Sequence, residues 1–177
     1  TSFLSLLDMG KDLPDYEEIP IPLRMPEDVE AAYKAVEQDL REVLRSNKAA
    51  AKKIQSAYLN LLTVYPDQPY DQPEIKNPID GHIIAAPENV GDFERVYPKE
   101  EKTMEIVRKK IANGERVIIY TSWTRTDSQQ KLLKLLNEDG IKAEVLTPKI
   151  PPEKREAWVE KRVQNGLQVL ITNPRCV

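Results

Sequence analysis

The chain has 177 residues, 40% of them hydrophobic and 31% charged, with a formal net charge of −3. That suits one domain, or a domain with an appendage, and excludes a disordered tail, which is poorer in apolar residues and more highly charged. A single cysteine and a single histidine exclude a disulfide framework and argue against a zinc site. No run approaches the roughly 20 apolar residues of a membrane-spanning helix. Phe3, Leu4, Leu6 and Leu7 follow no basic region and meet Asp8 and Lys11 at once, so no signal peptide is expected and the cytoplasm is the expected compartment.

Charge divides the chain near Pro98. Residues 99–177 hold 16 basic and 11 acidic residues, a net +5, whereas residues 1–98 hold 10 and 18, a net −8. Ten of the 14 prolines lie in the acidic part.

The elements follow in chain order. Ile19, Ile21 and Leu23 alternate with Pro20 and Pro22, which predicts an extended strap tolerable at a sheet edge. Pro26-Glu27-Asp28 suits a helix start, with acids at the positive end of the helix dipole. Val29, Tyr33, Val36, Leu40, Val43 and Leu44 then recur at helical spacing, as do Ile54, Tyr58, Leu61 and Leu62. These predict two helices, as a hairpin hinged near Ser46-Asn47 or as one long rod; with the strap they form a region over 1–64. Residues 65–98 carry six prolines, Pro66 to Pro98, and read as a connector with one short strand at His82–Ala85.

Residues 99–177 differ in kind. Helices are expected over 99–112, 126–138 and 152–164, and strands over 116–121, 141–146 and 167–172. Each helix stops at a glycine, Gly114, Gly140 or Gly166, spaced by 26 residues. Alternation of this kind calls for a parallel sheet between helical layers, its Arg116–Thr121 strand buried on both faces.

No phosphate-binding G-x-x-x-x-G-K-[ST] loop or dinucleotide fingerprint occurs, and no strand ends in a magnesium-holding Asp-Glu pair. Cys176 reads as a small buried hydrophobe rather than a nucleophile, so no catalytic residue is assigned. Ligands in parallel sheets gather beyond the carboxyl ends of strands, and two such exits are polar here. The first is Thr121-Ser122-Trp123-Thr124-Arg125, where hydroxyls suit phosphate oxygens and Trp123 suits a base; equally, Thr124 or Thr126 could be a helix cap. The second is Thr172-Asn173-Pro174-Arg175, which could equally be an ordinary turn.

In order, these pieces resemble superfamily 2 helicases, nearest the Swi/Snf-type and strawberry-notch-like DNA-dependent ATPases. Gly114–Thr124 looks like motif IV, and Gln168–Asn173 looks like the opening of motif V. Thr147 with Pro151-Pro152-Glu153-Lys154-Arg155 matches the stretch after motif IV, and Ile21-Pro22-Leu23-Arg24-Met25 with Tyr33 is similar to the segment joining two RecA-like lobes. The resemblance covers 95–177 well and 18–64 loosely. It implies an α/β fold: a partial RecA-like three-layer αβα lobe over 99–177, preceded by the helical pair and the proline-rich connector.

It further implies a nucleic-acid track, DNA favoured over RNA, met by Thr121, Ser122, Trp123, Thr124 and Arg125 and by Thr172, Asn173 and Arg175. In the family the nucleotide loop, the Asp-Glu motif and the arginine finger lie outside the span matched here. ATP and magnesium are therefore expected of a longer protein with a first helicase lobe, and no cofactor is expected of this piece. Two further readings stay open: a Rossmann-like binding or regulatory domain, such as the acceptor half of a nucleotide-sugar transferase, and a protein-interaction scaffold.

Overall fold

A computed structural model describes residues 17–46, 48–122 and 127–176, with the backbone alone for 48–51. Helix α1 spans Glu27–Ser46 and α2 spans Lys48–Val64. They pack antiparallel: Val29, Val36 and Leu40 of α1 share a buried cluster with Ile54 and Leu61 of α2, and the Tyr33 ring near one end of α1 lies 6.4 Å from that of Tyr65 just past α2. This is the hairpin rather than the rod, because each helix has one apolar stripe and only folding back buries both. Asn47, the expected hinge, lies outside the described residues.

Residues 65–98 are built into that core. Strands β1 (Ile75–Lys76) and β2 (Ile83–Ala85) pair antiparallel. Tyr65, Tyr70, Ile75, Ala85, Val90 and Tyr97 are buried against α1 and α2. Side chains tie the rest of the stretch together: Tyr65 donates to the Glu88 carbonyl at 2.6 Å, and Tyr97 to the Val90 carbonyl at 2.6 Å. Burial pushes the Tyr65 phenol up to about 12, so it stays a donor at physiological pH. Proline spacing, read as a connector, concealed a tyrosine-rich wall that the helical pair needs. The strap ahead of α1 forms no strand, and leaves Ile19, Ile21 and Leu23 exposed.

The second body has α3 (Pro98–Ala112), β3 (Val117–Tyr120), α4 (Ser128–Glu138), β4 (Ala143–Leu146), α5 (Pro152–Gln164), β5 (Val169–Thr172) and a 3-10 turn over Pro174–Cys176. The sheet is parallel in the order β3-β5-β4, so the last strand inserts between the first two. Glycine stops work as the sequence suggests. At φ +75°, Gly140 turns α4 so that the Ile141 N–H donates to the Leu136 carbonyl at 2.9 Å.

Helices α3 and α4 cover one face, where Met104, Val107, Leu132 and Leu136 meet Ala143, Val169 and Ile171. Helix α5 covers the other through Trp158 and Val159, which pack against Leu146, Leu167, Leu170 and the buried Cys176. The chain is thus mixed α/β with a three-stranded parallel sheet between helices. Coverage of the second face stops short of β3, where Ile118 and Tyr120 are 55% and 52% exposed. This corrects the expectation of a strand buried on both faces: β3 is an edge strand, and α5 lies over β4 and β5.

Two bidentate ion pairs tie distant segments. Arg95 holds Asp28 at the start of α1 (2.5 and 3.1 Å), and Arg108 of α3 holds Asp139 after α4 (2.6 and 3.1 Å). The guanidinium hydrogen bond keeps each carboxyl below its usual 3.8. A carboxyl lowered by folding adds stability above its unfolded value, and that stability is lost as pH falls through the folded one. The urea midpoint is therefore expected to be steady down to about pH 4 and to decline below it. In a double variant, Arg95→Gln with Arg108→Gln, part of that acid decline should vanish; an unchanged decline would refute the assignment.

Candidate nucleic-acid interface

Because β3 and β5 are neighbours in parallel, both polar exits emerge side by side at the carboxyl edge of the sheet. The ladder continues past the strands, with the Thr121 N–H donating to the Thr172 carbonyl at 2.9 Å. Ser122 and Arg175 are exposed and Thr121 is half-buried. Trp123, Thr124 and Arg125, together with Thr126, lie outside the described residues. The cap expected of Thr124 or Thr126 therefore has no structural account.

Thr172 and Asn173 occupy a different place from the one expected. Thr172 is 0% exposed, and its hydroxyl faces the Leu146 and Asn173 carbonyls at 3.4 Å each. Asn173, also buried, donates from Nδ2 to the carbonyls of Thr121 (2.8 Å) and Ser122 (3.1 Å). Its Oδ1 accepts the Arg175 N–H at 2.9 Å. This is a correction: both residues are turned inward, and the Asn173 side chain binds one exit to the other, because a central strand leaves its end residues under the loops beside it. Ser122 and Arg175 are the side chains that reach solvent.

The start of α4 is held from two directions. Gln129 donates to the Thr121 hydroxyl at 2.7 Å. The Asp127 N–H donates to Oε1 of Gln68 at 2.8 Å, a contact spanning 59 positions. Beside the exit of β3 is a cavity of about 390 Å³ whose walls include Thr103, Tyr120, Thr121, Ser122 and Ser128. Its two carboxylates are engaged. Asp67 pairs with Lys99, while Glu100 accepts the Tyr97 N–H at 2.7 Å and lies 3.5 Å from the Lys131 ammonium.

The hydroxyls of that lining are donors of a kind that suits phosphate oxygens. Among the described residues, no group of three or more His, Cys, Asp or Glu could hold a metal ion. No described helix is long and apolar enough to cross a membrane.

Sequence reading missed Gln68, Gln129 and Lys131. Gln129 and Lys131 lie on a predicted helix with no motif about them, and Gln68 lies in a proline-rich stretch whose path was not readable. No protein-family model matches the chain, and neither does any curated protein or solved structure compared with it.

Proposed function

We propose that this chain is part of an ATP-driven nucleic-acid helicase or translocase, and that it supplies phosphate-gripping surface of a second, RecA-like motor lobe. The observation that supports the reading is the juxtaposition of the β3 and β5 exits, where Asn173 joins Ser122 to the Arg175 backbone and Gln129 of α4 bonds the Thr121 hydroxyl. Hydroxyls and a cation there suit a phosphate backbone of any sequence. The +5 charge of residues 99–177 attracts a polyanion, and the −8 part lies away from the track in this reading. ATP and magnesium belong to another lobe of the same polypeptide. DNA is the favoured track and the cytoplasm the favoured compartment.

The test titrates the chain with labelled single-stranded and duplex DNA and RNA across a range of salt. Weak, salt-sensitive binding is expected, with no nucleic-acid-stimulated ATP hydrolysis above a buffer blank. Arg175→Ala and Arg125→Ala should each lower the salt slope by about one unit for a lost phosphate contact, whatever the base sequence. Unchanged affinity and slope in folded variants would make these exits plain turns and caps, and turnover by the chain alone would refute the assignment of ATP to another lobe.

A further inference from the structure

Residues 65–100 touch the strand-exit region at two points on the first turn of α4. The first is Gln68, only 7% exposed, whose side-chain oxygen takes the Asp127 N–H. Its own placement is fixed: Nε2 donates to the Tyr70 carbonyl at 3.3 Å, and its backbone carbonyl accepts from Gln72 at 2.9 Å. The second is Lys131, 3% exposed, one turn further along. Its ammonium donates to the Arg95 carbonyl and lies 4.4 Å from the Tyr97 ring centre, 5.7 Å from that of Tyr70 and 3.5 Å from Glu100.

The other end of the exit loop is held by different groups. Asn173 donates to the Thr121 and Ser122 carbonyls, and Gln129 donates to the Thr121 hydroxyl. Ser122 is therefore anchored on the exit of β5, and Asp127 on the tyrosine-rich wall of the first body. None of Gln68, Lys131 and Tyr97 is exposed, so none meets a ligand directly.

We infer that Gln68 and Lys131 are positioning residues through which the 65–98 segment fixes the start of α4 beside the β3 exit. The segment then supports the phosphate-gripping surface from behind, without meeting the track, and is more than a tether between two bodies. This rests on the nucleic-acid reading for its consequence in binding, but not for its consequence at the start of α4. A hydrogen bond from a buried glutamine fixes one amide in space. Losing it leaves the helix start to select among orientations, which lowers affinity without removing any charge.

That separates positioning from contact. Gln68→Met keeps the side chain's volume while removing both polar contacts. It is expected to weaken nucleic-acid binding about threefold to tenfold, as for one lost hydrogen bond, with the salt slope unchanged. Arg175→Ala, by contrast, should reduce the slope.

Amide hydrogen exchange supplies the readout that needs no ligand. The Asp127 amide of the unaltered protein should exchange as slowly as the hydrogen-bonded Lys131 amide, and about tenfold faster in Gln68→Met while amides of the α1–α2 hairpin keep their rates. Should Gln68→Met not fold, the slow Asp127 amide in the unaltered protein still decides whether the clamp exists. Fast exchange there, or exchange unmoved by the folded variant, overturns the inference. Accelerated exchange with affinity unmoved in a protein that binds also overturns it. A protein that binds no nucleic acid but shows the exchange effect keeps the clamp and loses the motor reading instead.

Discussion

Lys131→Met is expected to lower stability by about 3–5 kcal/mol. The ammonium is 3% exposed and Glu100 is 8% exposed. Removing one charge strands the other in a site already closed to water. Burial holds the Glu100 carboxyl above its usual 4.5 even with Lys131 beside it. For an acid raised by folding, the linked stability is present below the unfolded value and lost as pH rises through the folded value.

The variant should therefore be least impaired in mild acid and most impaired at neutral pH, the reverse of the acid decline assigned to Asp28 and Asp139. Denaturant melts at pH 5 and pH 7, compared with a Lys131→Met, Glu100→Gln double variant, check this. The double variant should recover much of the loss, because no charge is then left buried and the Gln carbonyl still accepts the Tyr97 N–H. A double variant as unstable as Lys131→Met at both pH values would show that packing, not charge, sets the cost.

Asn173→Ala should cost about 2–3 kcal/mol, through carbonyls left without donors at a buried position. Its side chain meets two carbonyls of the β3 exit and one amide after β5. The Thr121 hydroxyl also reaches across, to the Thr172 carbonyl, but at a long 3.4 Å. Its removal should raise amide exchange at Thr121 and Ser122 while leaving the α1–α2 hairpin untouched, since that core is a separate cluster. Thr172→Val is the control: the hydroxyl bonds there are long, 3.4 Å each, so a small change is expected. Equal losses from the two substitutions would argue against a special role for the Asn173 amide.

The sequence determined a good deal by itself. Apolar periodicity in α1 and α2, and alternation of helices with apolar runs from Pro98 onward, are local properties, and the corresponding helices and three parallel strands follow them closely. Helix stops were legible at Gly114, Gly140 and Gly166 because a left-handed turn needs glycine whatever surrounds it. The two exits were legible too, as polar residues directly after apolar strand runs.

Tertiary structure alone decided the rest. Strand order was one such matter: β5 inserts between β3 and β4, which makes β3 an edge and leaves Ile118 and Tyr120 uncovered although their run reads like a fully buried strand. The same placement turns Thr172 and Asn173 inward. Residues 65–98 show the limit most clearly. Their prolines suppress periodicity, yet Tyr65, Tyr70 and Tyr97 complete one core, and Gln68 reaches the other body 59 positions away. Local pattern reports which face of an element is apolar. Which neighbour covers that face, and which distant side chain satisfies a given amide, depends on contacts between segments far apart in sequence.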